Sequence, residues 1–152
     1  MDLPQGAWWI DEPKVLGTRA PSEGTLSDLR ARGFEVLVSL LGEREGPPYD
    51  VSFARAIGYE CHHIPVDDFS APTGEQISAF LQIAGTTDRP MILHCAHGFG
   101  RTGTFAAAYW MAMGLGFEEA VLRVRSARPG AVETPGQLAS LRDLESRLKS
   151  GG

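Results

Sequence analysis

Met91-Ile92-Leu93-His94-Cys95-Ala96-His97-Gly98-Phe99-Gly100-Arg101-Thr102-Gly103 is the stretch from which the rest of the chain can be read. Its first residues are apolar, the pattern of a short buried strand. A glycine-rich turn follows. From Thr102 to Met113 almost every residue is small or apolar, which predicts a central buried helix. A strand that runs through a tight loop into a helix makes a site for an anion. The first turn of a helix carries N–H groups with no intrahelical partner and the positive end of the helix dipole. Gly98 and Gly100 allow the backbone to curl, so that successive amides converge on one centre. Cys95 opens the loop with its sulfur beneath that centre. Arg101 closes it six residues later, and its planar fork matches two oxygens of a tetrahedral oxyanion. The same field favours the Cys95 thiolate, the nucleophilic form of the side chain. The lysine of a nucleotide-binding GxxxxGK[ST] loop is missing.

Working outward, strands alternate with helices. Trp8-Trp9-Ile10 and Lys14-Val15-Leu16, separated by Asp11-Glu12-Pro13, predict an N-terminal hairpin. A helix is expected from near Thr25, with Leu26 and Leu29 facing inward and Gly33 as its stop. The apolar run 34–41 suits a buried parallel strand. After the loop Gly42–Asp50, Asp50 caps a short helix through Val51, Phe53 and Ala54 that ends at Gly58. Tyr59–Val66 reads as a strand ended by Pro65 and Asp67-Asp68. Thr73-Gly74-Glu75-Gln76 fits a capping box, followed by Ile77, Phe80, Leu81 and Ala84 at helical spacing. Phe117–Arg128 is a helix stopped by Pro129-Gly130. Thr134 or Gly136 starts the last helix, with Leu138, Leu141, Leu144 and Leu148 on one face. The expected fold is α/β: one domain over residues 1–148, with a mostly parallel sheet covered by helices on both faces. Residues 149–152 are expected to form a disordered tail.

The chain has 152 residues, 43% of them hydrophobic and 22% charged, which suits one globular domain with its own core. A formal net charge of −5 argues against a general nucleic-acid binder, because phosphate backbones are held by basic surface. Two cysteines, Cys61 and Cys95, are too few for a disulfide scaffold, and no CxxC pair is present. A reducing, cytoplasmic setting follows. The N-terminus has neither a basic nor a long apolar segment of a signal peptide, and no apolar stretch reaches the roughly 18 residues of a membrane span. His62, His63, His94, His97 and Cys95 do not have the spacing of a metal site, so neither metal nor cofactor is expected. Cys61 reads as a small strand filler, with oxidation to a disulfide with Cys95 as its functional alternative. Glu43 and Arg44 lie on a loop that could border the anion site. Phe105, Tyr109, Trp110 and Met111 read as core.

His94, Cys95, Gly98, Arg101 and Thr102 resemble the signature of the cysteine-dependent protein phosphatases: His-Cys, five residues, Arg, then Ser or Thr. His63–Asp68 resembles that family's acid loop. Val124–Gln137, which includes Ala127-Arg128-Pro129-Gly130-Ala131-Val132-Glu133-Thr134, resembles its later arginine and glutamine segment. The match is nearest to the small atypical dual-specificity phosphatases and compact archaeal tyrosine phosphatases, and it implies their cysteine-phosphatase-like fold. It implies that Cys95 attacks phosphorus, with Arg101 and the amides of Ala96, His97, Gly98, Phe99 and Gly100 binding the phosphate. Asp68 is then the general acid, since it directly precedes the aromatic position held by Phe69; Asp67 is the alternative. Thr102 supports the sulfur, Gln137 orients a water, and His94 bonds the loop backbone. The implied substrate is a phosphorylated protein or peptide, acted on by a monomer without nucleic-acid or membrane partners. An RNA 5′-triphosphatase resembles it in the histidine at position 97. A phosphoinositide or phospholipid phosphatase usually carries lysines where Ala96, His97 and Phe99 stand. A non-catalytic phosphoprotein-binding module usually lacks the cysteine or the arginine.

Overall fold

The structure, a computed structural model, describes residues 2–151. Its strands are β1 (Trp8–Asp11), β2 (Val15–Thr18), β3 (Val36–Ser39), β4 (Glu60–His63) and β5 (Met91–His94). Its helices are α1 (Glu23–Ala31), α2 (Val51–Ala56), α3 (Gly74–Thr86), α4 (Gly100–Ala112), α5 (Phe117–Ala127) and α6 (Pro135–Ser150). The strands form one sheet in the order β1-β2-β5-β3-β4. The β1–β2 hairpin is antiparallel and the other pairings are parallel. β5 lies at the centre, between β2 and β3, so the Cys95 loop leaves from the most enclosed edge of the sheet.

Alternation along the strands builds two cores. Val36, Val38, Met91 and Leu93 face α3, α4, α5 and α6. Leu16, Leu37 and Ile92 face the other way, onto Leu26 and Leu29 of α1 and Ala54 of α2. A strand buried on both faces needs an unbroken apolar run, and β3 and β5 have one. Helix α4 is buried along nearly its whole length. Ala106, Ala107 and Ala108 let its neighbours approach closely, and Phe105 meets Phe80 of α3 edge to face at 5.6 Å between ring centres.

The element order and the two-sided α/β architecture match the expectation from sequence; the ends of elements differ. Ser22, whose hydroxyl accepts from Thr25 N–H, caps α1, so the helix begins at Glu23. The run 34–41 narrows to four residues of β3, and 59–66 to four of β4, where the chain leaves the sheet for the loops around the site. Helix α4 starts at Gly100 rather than Thr102. In α6 Leu141 and Leu144 are buried and Leu138 is partly so, but Leu148 is 42% exposed. Lys149 and Ser150, expected in a disordered tail, form the last turn of α6, and Gly151 is its C-cap. The rest of that expected tail, Gly152, lies outside the described residues.

Candidate active site

Cys95 follows β5 directly and is 2% exposed. Its sulfur accepts the N–H of Gly98 at 3.2 Å and the hydroxyl of Thr102 at 3.1 Å. No side chain caps α4; Phe99 stands at its N-cap without a capping bond. The helix thus presents its first amides and its dipole to the loop.

The loop is held from beneath by the hairpin. Trp8 Nε1 donates to Gly98 O at 2.7 Å, and Ala20 N–H donates to Ala96 O at 3.1 Å. Gly98 has φ of 86°, and a Cβ there would stand 2.7 Å from the backbone nitrogen of Arg19. Conformation and space both require glycine at this position. At Gly100 a Cβ would meet the carboxylate of Glu133, the movable end of a flexible side chain, so space is less demanding there.

His94 is fully buried on β5. Its Nδ1 lies 3.3 Å from Cys95 O, and its Nε2 lies 2.7 Å from the Tyr49 hydroxyl. A carbonyl can only accept, so Nδ1 carries the proton and Nε2 accepts from Tyr49. Burial pushes the imidazole down to about 4 and the Tyr49 hydroxyl up to about 12. His94 is therefore a neutral brace for the loop backbone.

Arg101 is 1% exposed yet charged, and its environment compensates it. Nη1 donates to Glu45 Oε1 at 2.5 Å and to Val66 O at 2.7 Å; Nη2 donates to Glu45 Oε2 at 3.1 Å. Asp68 Oδ1 lies 3.4 Å from Nη2. The guanidinium holds the Glu45 carboxyl below its ordinary range, against the opposing effect of partial burial. The third nitrogen, Nε, is buried and has no hydrogen-bond partner among the described residues. An orphaned charged donor of this kind is costly unless an acceptor reaches it.

The bond to Val66 also ties the acid segment to the loop. Of the two adjacent carboxylates, Asp68 reaches Arg101, whereas Asp67 Oδ1 turns toward Gly42. Phe69 is 59% exposed and has φ of 65°, an uncommon conformation for an aromatic residue. It is fixed there by Asp68 Oδ1, which accepts Phe69 N–H at 3.0 Å, and by Ser70 N–H donating to Asp67 O. Gln137 is fully buried. Its side-chain oxygen accepts from the backbone N–H of Glu133 and Thr134, and its amide nitrogen donates to Ser70 O at 3.3 Å. It closes the capping box of α6 and clamps the end of the acid turn, and the second hydrogen of its amide nitrogen has no acceptor among the described residues.

Among the described residues no three His, Cys, Asp or Glu side chains are grouped to hold a metal ion. His62 instead pairs with Glu60, and His63 with Leu41 O. His97 stacks loosely against Phe99, over which Arg128 lies at 4.9 Å. The expected alternative for Cys61, a disulfide to Cys95, is ruled out by register. Cys61 pairs with Leu37 and Leu37 with Ile92, two strands across and three residues short of Cys95. That separates the Cα atoms by roughly 14 Å, twice the reach of a disulfide. The loop residue that contacts the site is Glu45, next to the Glu43 and Arg44 singled out from sequence. Glu45, Tyr49 and Trp8 carry no local motif; only the fold brings them to the loop.

The family model described as polymorphic toxin system, DSP-PTPase phosphatase matches residues 13–115, more than half of the chain. The chain belongs to this phosphatase family. It is 34% identical over 90 residues to the dual specificity protein phosphatase CDC14C of Symphalangus syndactylus, a match covering 59% of this chain and 19% of that protein. The chain thus spans about a fifth of the length of that curated relative. Among solved structures, Tk-PTP in its active form superimposes with a TM-score of 0.87 at 37% identity, covering 94% of this chain and 98% of the other. PTPMT1 in complex with PI(5)P superimposes with a TM-score of 0.86 over 97% of this chain and 99% of the other, but at 19% identity it shares the fold alone. No helix of the described residues is long and apolar enough to cross a membrane.

Proposed function

We propose that the chain hydrolyses phosphate monoesters on proteins, phosphotyrosine and also phosphoserine or phosphothreonine, through a cysteinyl-phosphate. The observation that carries this reading is the pairing of a buried sulfur, hydrogen-bonded by Gly98 N–H and Thr102, with an Arg101 guanidinium whose Nε lacks a partner. Two phosphate oxygens, one at Nε and one at Nη2, would satisfy that donor bidentately, while Glu45 keeps Nη1. The loop amides of residues 96–101 hold the remaining oxygens.

In the first step the Cys95 thiolate attacks phosphorus in line; the S–P bond forms as the ester P–O bond breaks. Asp68, protonated, gives its proton to the leaving oxygen. This matters most for serine and threonine esters, whose alkoxides leave poorly. In the second step ionised Asp68 takes a proton from water, the water oxygen attacks phosphorus, and the sulfur leaves as thiolate, stabilised by Thr102. Fixed loop dipoles supply electrostatic stabilisation in both steps. Gln137 fixes the turn that carries Asp68 through its bond to Ser70 O, and the second hydrogen of its amide nitrogen orients the attacking water. The contact of Asp68 with Arg101 supports Asp68 over Asp67. No step uses a metal or cofactor. The two free thiols are consistent with a reducing, cytoplasmic setting, and the chain acts as a monomer.

The test is turnover of p-nitrophenyl phosphate, then of phosphopeptides, phosphoinositides and triphosphorylated RNA. Vanadate-sensitive release from phosphopeptides, absent in Cys95→Ser, is the expected result. Turnover confined to the lipid or RNA substrates would replace the substrate assignment, and none on any substrate would leave a binding module.

A further inference from the structure

A second cavity, of about 470 Å³, opens between β3, β4 and the segment 42–49; none of its lining residues belongs to the Cys95–Arg101 loop. That size is within the range of small-molecule sites. Its inner lining is mostly apolar: Leu37, Leu41 and the ring of Tyr49 are buried and half-buried Cys61 joins them, with buried Ser39 and half-buried His62 as the polar members. Burial raises the Cys61 thiol, against the opposing charge of Arg55, so the group adds to the apolar wall. The exposed part of the lining carries Arg44 and Arg55, and neither forms an ion pair among the described residues. Glu43 offsets one of these charges and Glu45 is neutralised by Arg101, so one positive charge remains in excess.

One wall of this cavity reaches the catalytic loop through one intermediate side chain, and another bonds it directly. Tyr49 carries His94, which braces Cys95 O. Glu45 carries Arg101. An occupant that shifts either wall changes the loop that holds phosphate.

We propose that this cavity is a regulatory site for a small aromatic anion, its ring against Tyr49, Leu37 and Cys61 and its carboxylate or sulfonate on Arg55. The coupling rests on the phosphate-site reading given above; the binding does not.

The test titrates the intact chain with 1-anilinonaphthalene-8-sulfonate, an aromatic sulfonate whose fluorescence rises in apolar surroundings, with and without saturating vanadate. We expect one saturable site, weakened about five-fold or more by Arg55→Ala and lost in Cys61→Trp, which places an indole across the apolar wall where the ring would lie. Linkage requires that vanadate change the probe's Kd by the same factor as the probe changes that of vanadate, here about five-fold or more. If Cys61→Trp fails to give a cooperative melt, Arg55→Ala alone decides. Binding that ignores both substitutions, or no saturable binding, overturns the site. A Kd equal with and without vanadate overturns the regulation. Vanadate inhibition of p-nitrophenyl phosphate turnover, measured separately, shows whether the phosphate-site reading itself holds.

Discussion

Replacing Glu45 by Gln probes the contact that sequence could not show. Among the described residues Glu45 is the only side chain that meets both Nη1 and Nη2 of Arg101 through hydrogen bonds, at 2.5 and 3.1 Å. Arg101 is 1% exposed and Glu45 30% exposed, so one partner of the pair is dry and the other is partly screened by water. A charged hydrogen bond contributes about 1.5–3 kcal/mol, and an exposed pair less than about 1. Glutamine keeps one acceptor but loses the charge and the second bond. The expected loss is about 2 kcal/mol, or a fall in Tm of about 4–8 °C for a domain of this size. The pH dependence has a definite sign. The folded-state carboxyl of Glu45 is held below its unfolded value, so its contribution is full above the ordinary carboxylate range and is lost as pH falls through the lowered folded value. Glu45→Gln should lack that part of the acid limb. Thermal melts at several pH values and a double-mutant cycle with Arg101→Met test the point. A coupling near zero, or a Tm within about 1 °C of the parent, would refute the reasoning.

Asp68→Asn should lower kcat by roughly 10²–10⁴-fold at neutral pH, more for alkyl than for aryl phosphates, with Asp67→Asn much milder; kinetics that reverse the order of the two variants would move the acid to Asp67. Burial holds His94 near 4 in the folded state, below its unfolded value, so stability should decline as pH drops from about 6.5 toward 4. His94→Asn should remove part of that decline in denaturant titrations, and an unchanged limb would show that other groups cause it. Gln137→Ala strands the N–H groups of Glu133 and Thr134 and frees Ser70 O. It should cost about 1–2 kcal/mol and lower kcat more than it raises KM, and a stability loss with unchanged kcat would make Gln137 a helix cap alone.

The fold was readable because its decisive strand and helix are buried on all sides, and full burial forces an unbroken apolar pattern at β5 and α4. Chain ends of elements were less readable. At α1 the cap is Ser22, three residues ahead of the expected start; α4 begins without any capping side chain, because its first turn belongs to the loop. Within the site, Cys95, Thr102 and Arg101 fall close in sequence, so local spacing placed them together. Glu45 and Tyr49 lie in the irregular segment between β3 and α2, and their partners are 56 and 45 residues away. Such pairings depend on the crossover of β3 and β5, which no local pattern encodes. Gln137 shows the same limit differently: its position was visible, but its complete burial and its bond to Ser70 were not.

In this mechanism the phosphoryl group passes through the Cys95 sulfur, and trapping that species tests it most directly. Asp68→Ala should retain much of the first step with p-nitrophenyl phosphate, whose phenolate leaves readily, while losing the base for the second. A denaturing quench during turnover, followed by mass spectrometry, should then find one phosphoryl group on the Cys95 peptide and none in Cys95→Ser. Turnover with the phosphoryl group on another side chain, or undiminished turnover by Cys95→Ser, would contradict it.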